Sequence, residues 1–215
     1  MSLSLAPTAS SPASARGAKA PPARKRGRPR QFDLDQAVQA ATDLFRARGY
    51  DRVTLNDLTG AMHINPPSFY AAFGNKAVLF TRIADAYQTH WLTELRTTFE
   101  ATDDLRTALE AILFQAARRF GWRESASGPW GGCLIFESAS NCSDALVMAH
   151  LRKARLAVAA ALYRGVSRTT PEQVVLLTDH VMLLLTGLSA MGRDGVGAER
   201  LLAVAAHAVA ALNLP

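Results

Sequence analysis

At 215 residues and 49% hydrophobic side chains the chain can bury a sizeable core, as one large domain or two small ones. Its net charge of +6 is a tail effect, since residues 1–30 hold seven Lys or Arg and no acid, leaving 17 basic and 18 acidic residues in a near-neutral body. Cys133 and Cys142 show no paired-CxxC or His ligand spacing, which argues against a disulfide or zinc framework and for a reducing cytoplasm, and the apolar 174–188 segment is interrupted short of the roughly 18 residues of a membrane span.

Residues 1–25 are rich in Ala, Pro and Ser, have no apolar period, and are expected to be disordered. An Arg- and Ser-rich, acid-poor start also describes an organellar transit peptide, but here the basic cluster runs directly into a helical pattern. Within that cluster, Arg26-Gly27-Arg28-Pro29-Arg30 resembles the core of an AT-hook, an arm that lies in the narrow minor groove of A·T-rich DNA. Gly lets the backbone sit deep, Pro keeps it extended, and Arg26, Arg28 and Arg30 meet the enhanced negative potential there. The plainer alternative is a solvated charge run that only raises non-specific affinity.

Asp33 is placed to cap a first helix whose apolar stripe runs through Leu34, Ala37, Val38, Ala41, Leu44 and Phe45, with Gly49 closing it. Tyr50 and Val53 read as packing residues of the same small core. Thr54, with Asp57 three positions on, starts a second short helix. Met62-His63-Ile64 interrupts it, and Asn65 offers another N-cap. Pro66 and Pro67 fit a helix's first turn, where N–H groups have no intrahelical partner. Because Pro67 has no N–H, Asn65 can cap only through the N–H of Ser68. Phe69 and Phe73 lie four apart and pin this third helix to a core, leaving Ser68 and Tyr70 on other faces.

The run from residue 33 to 79, and within it Ile64-Asn65, Ser68-Phe69-Tyr70, Phe73-Gly74-Asn75-Lys76 and Leu79, resembles the DNA-binding domain of the TetR/AcrR family of bacterial transcriptional repressors. The resemblance implies a helix-turn-helix ending in Tyr-x-x-Phe-x-x-Lys and followed by a long helix. It also implies phosphate contacts from Tyr70 and Lys76; His63 and Lys76 flank the interface, and Thr54 is a further DNA-binding candidate. Two departures stand out. His63 occupies a turn position where the family usually has Gly, so a positive φ is expected there. The double proline removes two backbone donors and a cation from the DNA-facing end. Base reading would then fall to Asn65 and Ser68 by hydrogen bonding, and to Pro66 or Pro67 against thymine methyls.

Further along, residues 77–99 keep a helical period through Leu79, Phe80, Ile83, Tyr87, Trp91 and Leu95, and Asp103 or Asp104 starts another helix to Phe120. After a Gly/Ser/Pro break, Gly132-Cys133-Leu134 opens a helix in the manner of family members that sense electrophiles or oxidants, where a first-turn thiolate would be favoured by the dipole. The alternative is a small buried residue. A helix over 144–165 follows, then a capping box at Thr170-Pro171-Glu172-Gln173 launching a helix over 174–191, and a last helix over 198–212. Both final helices are too apolar for a monomer surface.

The sequence therefore predicts an all-α protein with a disordered basic arm at 1–30, a three-helix helix-turn-helix domain at 31–76, and a helical ligand-binding and dimerisation domain at 77–215. The function the resemblance implies is a repressor that binds a palindromic operator on double-stranded DNA as a homodimer, released by a small molecule or a thiol-reactive signal. The family's dimer pairs the last two helices with their twins, and the alternative is that both are simply core. An architectural or nucleoid protein without ligand control is the alternative. Effector-site candidates are Trp91, Phe114, Trp130, Cys133, Phe136 and His150, each also readable as core. No catalytic constellation, cofactor loop or metal spacing is found: Gly187-Leu188-Ser189-Ala190-Met191 lacks the final Gly of a nucleophile elbow, and the five His show no ligand pattern.

Overall fold

The structure, a computed structural model, describes residues 33–122, 131–138, 142–212 and 214. Among them are nine α-helices and no strand. The first three are short: α1 (Leu34–Arg48), α2 (Leu55–Ala61) and α3 (Pro66–Phe73). Each begins where the sequence supplies a cap. The Asp33 carboxylate accepts from the N–H groups of Asp35 and Gln36, Thr54 and Asp57 form a reciprocal capping box, and Asn65 Oδ1 accepts from the Ser68 N–H at 2.9 Å. At about 1 kcal/mol each, such caps matter for helices too short to persist alone.

The 26-residue α4 (Lys76–Ala101) is about 39 Å long at 1.5 Å per residue. It crosses two clusters of buried apolar side chains. Phe80 and Ile83, near its start, pack with Phe45, Tyr50, Leu58, Phe69 and Phe73. Trp91, Leu95 and Phe99, farther on, pack with α5 (Leu105–Phe120), α7 (Ala145–Val166), α8 (Val174–Arg193) and α9 (Ala198–Ala211). Tyr87 touches both clusters. The five-residue α6 (Leu134–Ser138) does the same, since Leu134 joins the first cluster while Ile135 and Phe136 join the second.

Two expectations are corrected. Thr170-Pro171-Glu172-Gln173 is not a capping box: Pro171–Gln173 form a 3-10 turn, no side chain caps it, and the Thr170 side chain is buried. Burial keeps the hydroxyl away from the exposed first-turn N–H groups. The 171–193 segment is, against expectation, long and apolar enough to cross a membrane, with a mean hydropathy of 1.8. Its Val181, Leu185 and Leu188 are buried against the second cluster, as in the core helix of a packed domain.

Candidate nucleic-acid interface

The turn between α2 and α3 sets how α3 is presented. His63 adopts φ +53°, the left-handed conformation expected there, and its N–H donates to the Gly60 carbonyl at 3.2 Å. Only the four residues Met62 to Asn65 separate α2 from α3. Phe69 and Phe73 are buried and in contact, with ring centroids 5.4 Å apart. The opposite side of α3 carries exposed Asn65, Pro66, Pro67 and Tyr70, with Ser68 half-buried. Tyr70 is 54% exposed, unusual for a large aromatic, and its ring meets Phe69 edge-on at 5.8 Å. An exposed face with two apolar rings, an aromatic hydroxyl and an amide can contact both base edges and phosphates.

Capping limits what some of these groups can offer. Asn65 Oδ1 is engaged by Ser68, so only its amide N–H₂ is left to donate to a base. The Thr54 hydroxyl both accepts from the Asp57 N–H at 3.1 Å and donates to its carboxylate at 2.6 Å. Hydrogen bonds from the Thr54 hydroxyl and N–H, with Arg48 at 3.0 Å, hold the Asp57 carboxyl below its ordinary value.

Lys76, for which the resemblance implied a phosphate contact, is half-buried. Its Nζ turns inward, donating to the Tyr50 carbonyl at 3.1 Å and the Val53 carbonyl at 3.0 Å, over the Tyr50 ring at 4.1 Å. The ammonium thus ties the turn after α1 to the start of α4. Tyr50 is likewise more than packing: its hydroxyl donates to Asp144 Oδ2 at 3.0 Å, and burial, then Asp144, pushes its pKa up. Beside it, Asp51 accepts from the Ser143 N–H at 2.8 Å and hydroxyl at 3.1 Å. Sequence reading missed these pairs, and no local spacing could have exposed partners more than ninety residues apart.

Five of the effector-site candidates lie among the described residues. Trp91, Cys133 and Phe136 are buried in the second cluster, Phe114 packs on its edge, and His150 instead meets Asp85 at 2.8 Å across α4 and α7. None of them lines the 390 Å³ cleft between α4 and α7 or the 440 Å³ cleft beside the end of α5. Cys133 is 1% exposed and its N–H donates to Ser189 Oγ at 2.8 Å. Burial pushes its thiol above the usual value, opposite to the favoured thiolate expected of a first-turn cysteine. The Cys142 thiol is raised in the same way. Arg26, Arg28, Arg30 and Trp130 lie outside the described residues.

Comparison with known proteins agrees with this geometry. Residues 37–83 match the model of the bacterial regulatory proteins, tetR family. The HTH-type transcriptional repressor BdcR of Escherichia coli (strain K12) is 34% identical over 194 residues, covering 87% of this chain and 92% of its own length. ComR, another HTH-type transcriptional repressor of that organism, is 26% identical over 192 residues, covering 85% and 90%. Among solved structures, a cysteine variant of the TetR family transcriptional regulator CifR complexed with 26-bp operator DNA is 33% identical. It covers 86% of this chain and 99% of its own, with a TM-score of 0.73.

Proposed function

The chain belongs to the tetR family of bacterial regulatory proteins, DNA-binding transcription regulators rather than enzymes, and from that premise we propose a ligand-responsive repressor acting in the cytoplasm as a homodimer. The observation that carries the DNA-reading role is α3 itself: two buried phenylalanines fix it, and Asn65, Pro66, Pro67 and Tyr70 face outward. In this reading 1–30 is a minor-groove arm, 31–76 the reading head and 77–215 the sensing and dimerising body. His63 and Thr54 shape the interface, while Ser68 and the Asn65 amide contact bases.

The dimer surface rests on exposed apolar side chains. Val175, Leu176 and Leu183 on α8, with Leu156 and Tyr163 on α7, are large, apolar and 45 to 71% exposed. The exposed positions of α9 include Ala203, Ala206 and Ala210, small enough for close approach of a partner helix, beside the polar Glu199, Arg200 and His207. Pairing α8 and α9 with their twins, alongside α7, would cover this face as a four-helix bundle. Two reading helices then fall in successive major grooves, with half-sites 34–36 Å apart or a multiple. Relief of repression follows from linkage: an effector that fits the body better when the heads are misplaced lowers DNA affinity by that same differential.

The test is footprinting of the full-length protein across genomic DNA at physiological salt. A discrete, roughly palindromic protected site supports the proposal. Broad coverage without a preferred site favours the architectural alternative.

A further inference from the structure

Beside the end of α5 lies a cleft of 440 Å³ lined by Arg46, Glu94, Gln115, Arg118, Arg119 and Trp122. Its volume falls within the range of small-molecule sites, roughly 300 to 1,000 Å³. Three arginines line it against one carboxylate, and that carboxylate is taken: Arg119 Nη2 holds both Glu94 oxygens at 2.6 Å. Neither Arg46 nor Arg118 makes an ion pair among the described residues. The Arg46 guanidinium lies 5.4 Å from the Trp122 ring centroid, and its Nε is buried without a hydrogen-bond partner, as is Arg119 Nη1. Trp122 stays 47% exposed although the Arg46 guanidinium lies over its ring.

A basic residue in a helix's last turn has an ordinary explanation, because it complements the helix dipole, and Arg46, Arg118 and Arg119 all stand in last turns. That accounts for a cation at each helix end. It does not account for the ends of α1 and α5 being brought together around an open indole with only one carboxylate, already paired.

We propose that this cleft is an effector site for a small aromatic carboxylate, its carboxylate held between Arg46 and Arg118 and its ring against Trp122. The two guanidinium groups offer the forked donors that carboxylates accept. The indole supplies the flat apolar wall that an inorganic anion would not use. Because Arg46 belongs to α1 and Arg118 to α5, the bound anion ties the reading head to the body, and its occupancy biases how the head is held. This consequence for DNA rests on the regulator reading above; the binding itself does not.

The probe is 1-naphthoate, with 1-naphthalenemethanol as the uncharged analogue and inorganic phosphate as the anion without a ring, titrated into the full-length protein by calorimetry without DNA. Saturable binding of naphthoate at micromolar to low millimolar concentration is expected, with the other two at least tenfold weaker. Arg118→Ala and Trp122→Ala, at exposed positions, should each weaken naphthoate at least tenfold with unchanged circular dichroism. Equal binding of the uncharged analogue or of phosphate, unchanged affinity in both variants, or no saturable binding overturns the proposal. Operator binding is measured separately on the same preparations. If naphthoate fails while the operator is bound, this site is wrong and the regulator reading stands; if naphthoate binds and no operator does, the reverse holds.

Discussion

The Tyr50 hydroxyl donates to an Asp144 carboxylate oxygen at 3.0 Å, joining the turn after α1 to the N-cap of α7. Asp144 simultaneously accepts from the N–H groups of Leu146 and Val147, which hold its carboxyl below its ordinary value. One side chain therefore starts a body helix and anchors the reading head. Removing the hydroxyl with Tyr50→Phe keeps the packing against Phe45 and Phe80, so the cost should be that of one hydrogen bond, about 0.5–1.5 kcal/mol. Denaturant unfolding checks this; unchanged stability would mean the pair contributes nothing.

Lys76 gives a sharper contrast. With its ammonium donating to two carbonyls, Lys76→Met should destabilise by about 1–3 kcal/mol, since the Val53 oxygen loses its partner and the Tyr50 oxygen keeps only the Val53 N–H. The salt dependence of operator binding should stay the same. A slope of log K against log[salt] shallower by about 0.9 would instead place this ammonium on a phosphate.

Gly192 sits where α8 passes the end of α5. A Cβ there would lie 2.4 Å from the Phe120 carbonyl oxygen, so Gly192→Ala must push backbone against backbone. The expected loss is about 1–3 kcal/mol. Gly60→Ala, in a helix with nothing within 4 Å of the added atom, should instead stabilise by about 0.5–1 kcal/mol. Thermal melts of the two variants should therefore move in opposite directions, and a shared direction would contradict the packing described for α8.

Leu183 and Leu176 test the dimer face. Both lie on the outer side of α8, so Leu176→Glu with Leu183→Glu leaves the monomer core intact and places four carboxylates in the proposed bundle. Sedimentation should show a shift from dimer to monomer with unchanged helicity. A dimer that persists would move the interface elsewhere.

Local chemistry made the reading head legible. Asn65 had one N–H within reach because Pro67 has none, Phe69 and Phe73 were four apart, and His63 stood where the turn needed positive φ. What escaped was decided by distant partners: Lys76 looked like a surface cation until Tyr50 and Val53 took its ammonium, and Tyr50 looked like filler until Asp144 faced it. The Cys133 thiol stayed open between two readings for the same reason, because sequence shows its place before a helix but not the apolar shell that closes over it. The cleft beside Trp122 was invisible too, since it exists only where the ends of α1 and α5 meet.

Whether the outer face of α3 reads DNA in two symmetry-related copies is decided by affinity selection from a random duplex library, run on the full-length protein and on Asn65→Ala and Pro67→Ala. The expected result is a two-fold symmetric motif, and in each variant a changed preference at the same position of both half-sites. No enriched motif, or one identical in all three proteins, would contradict it.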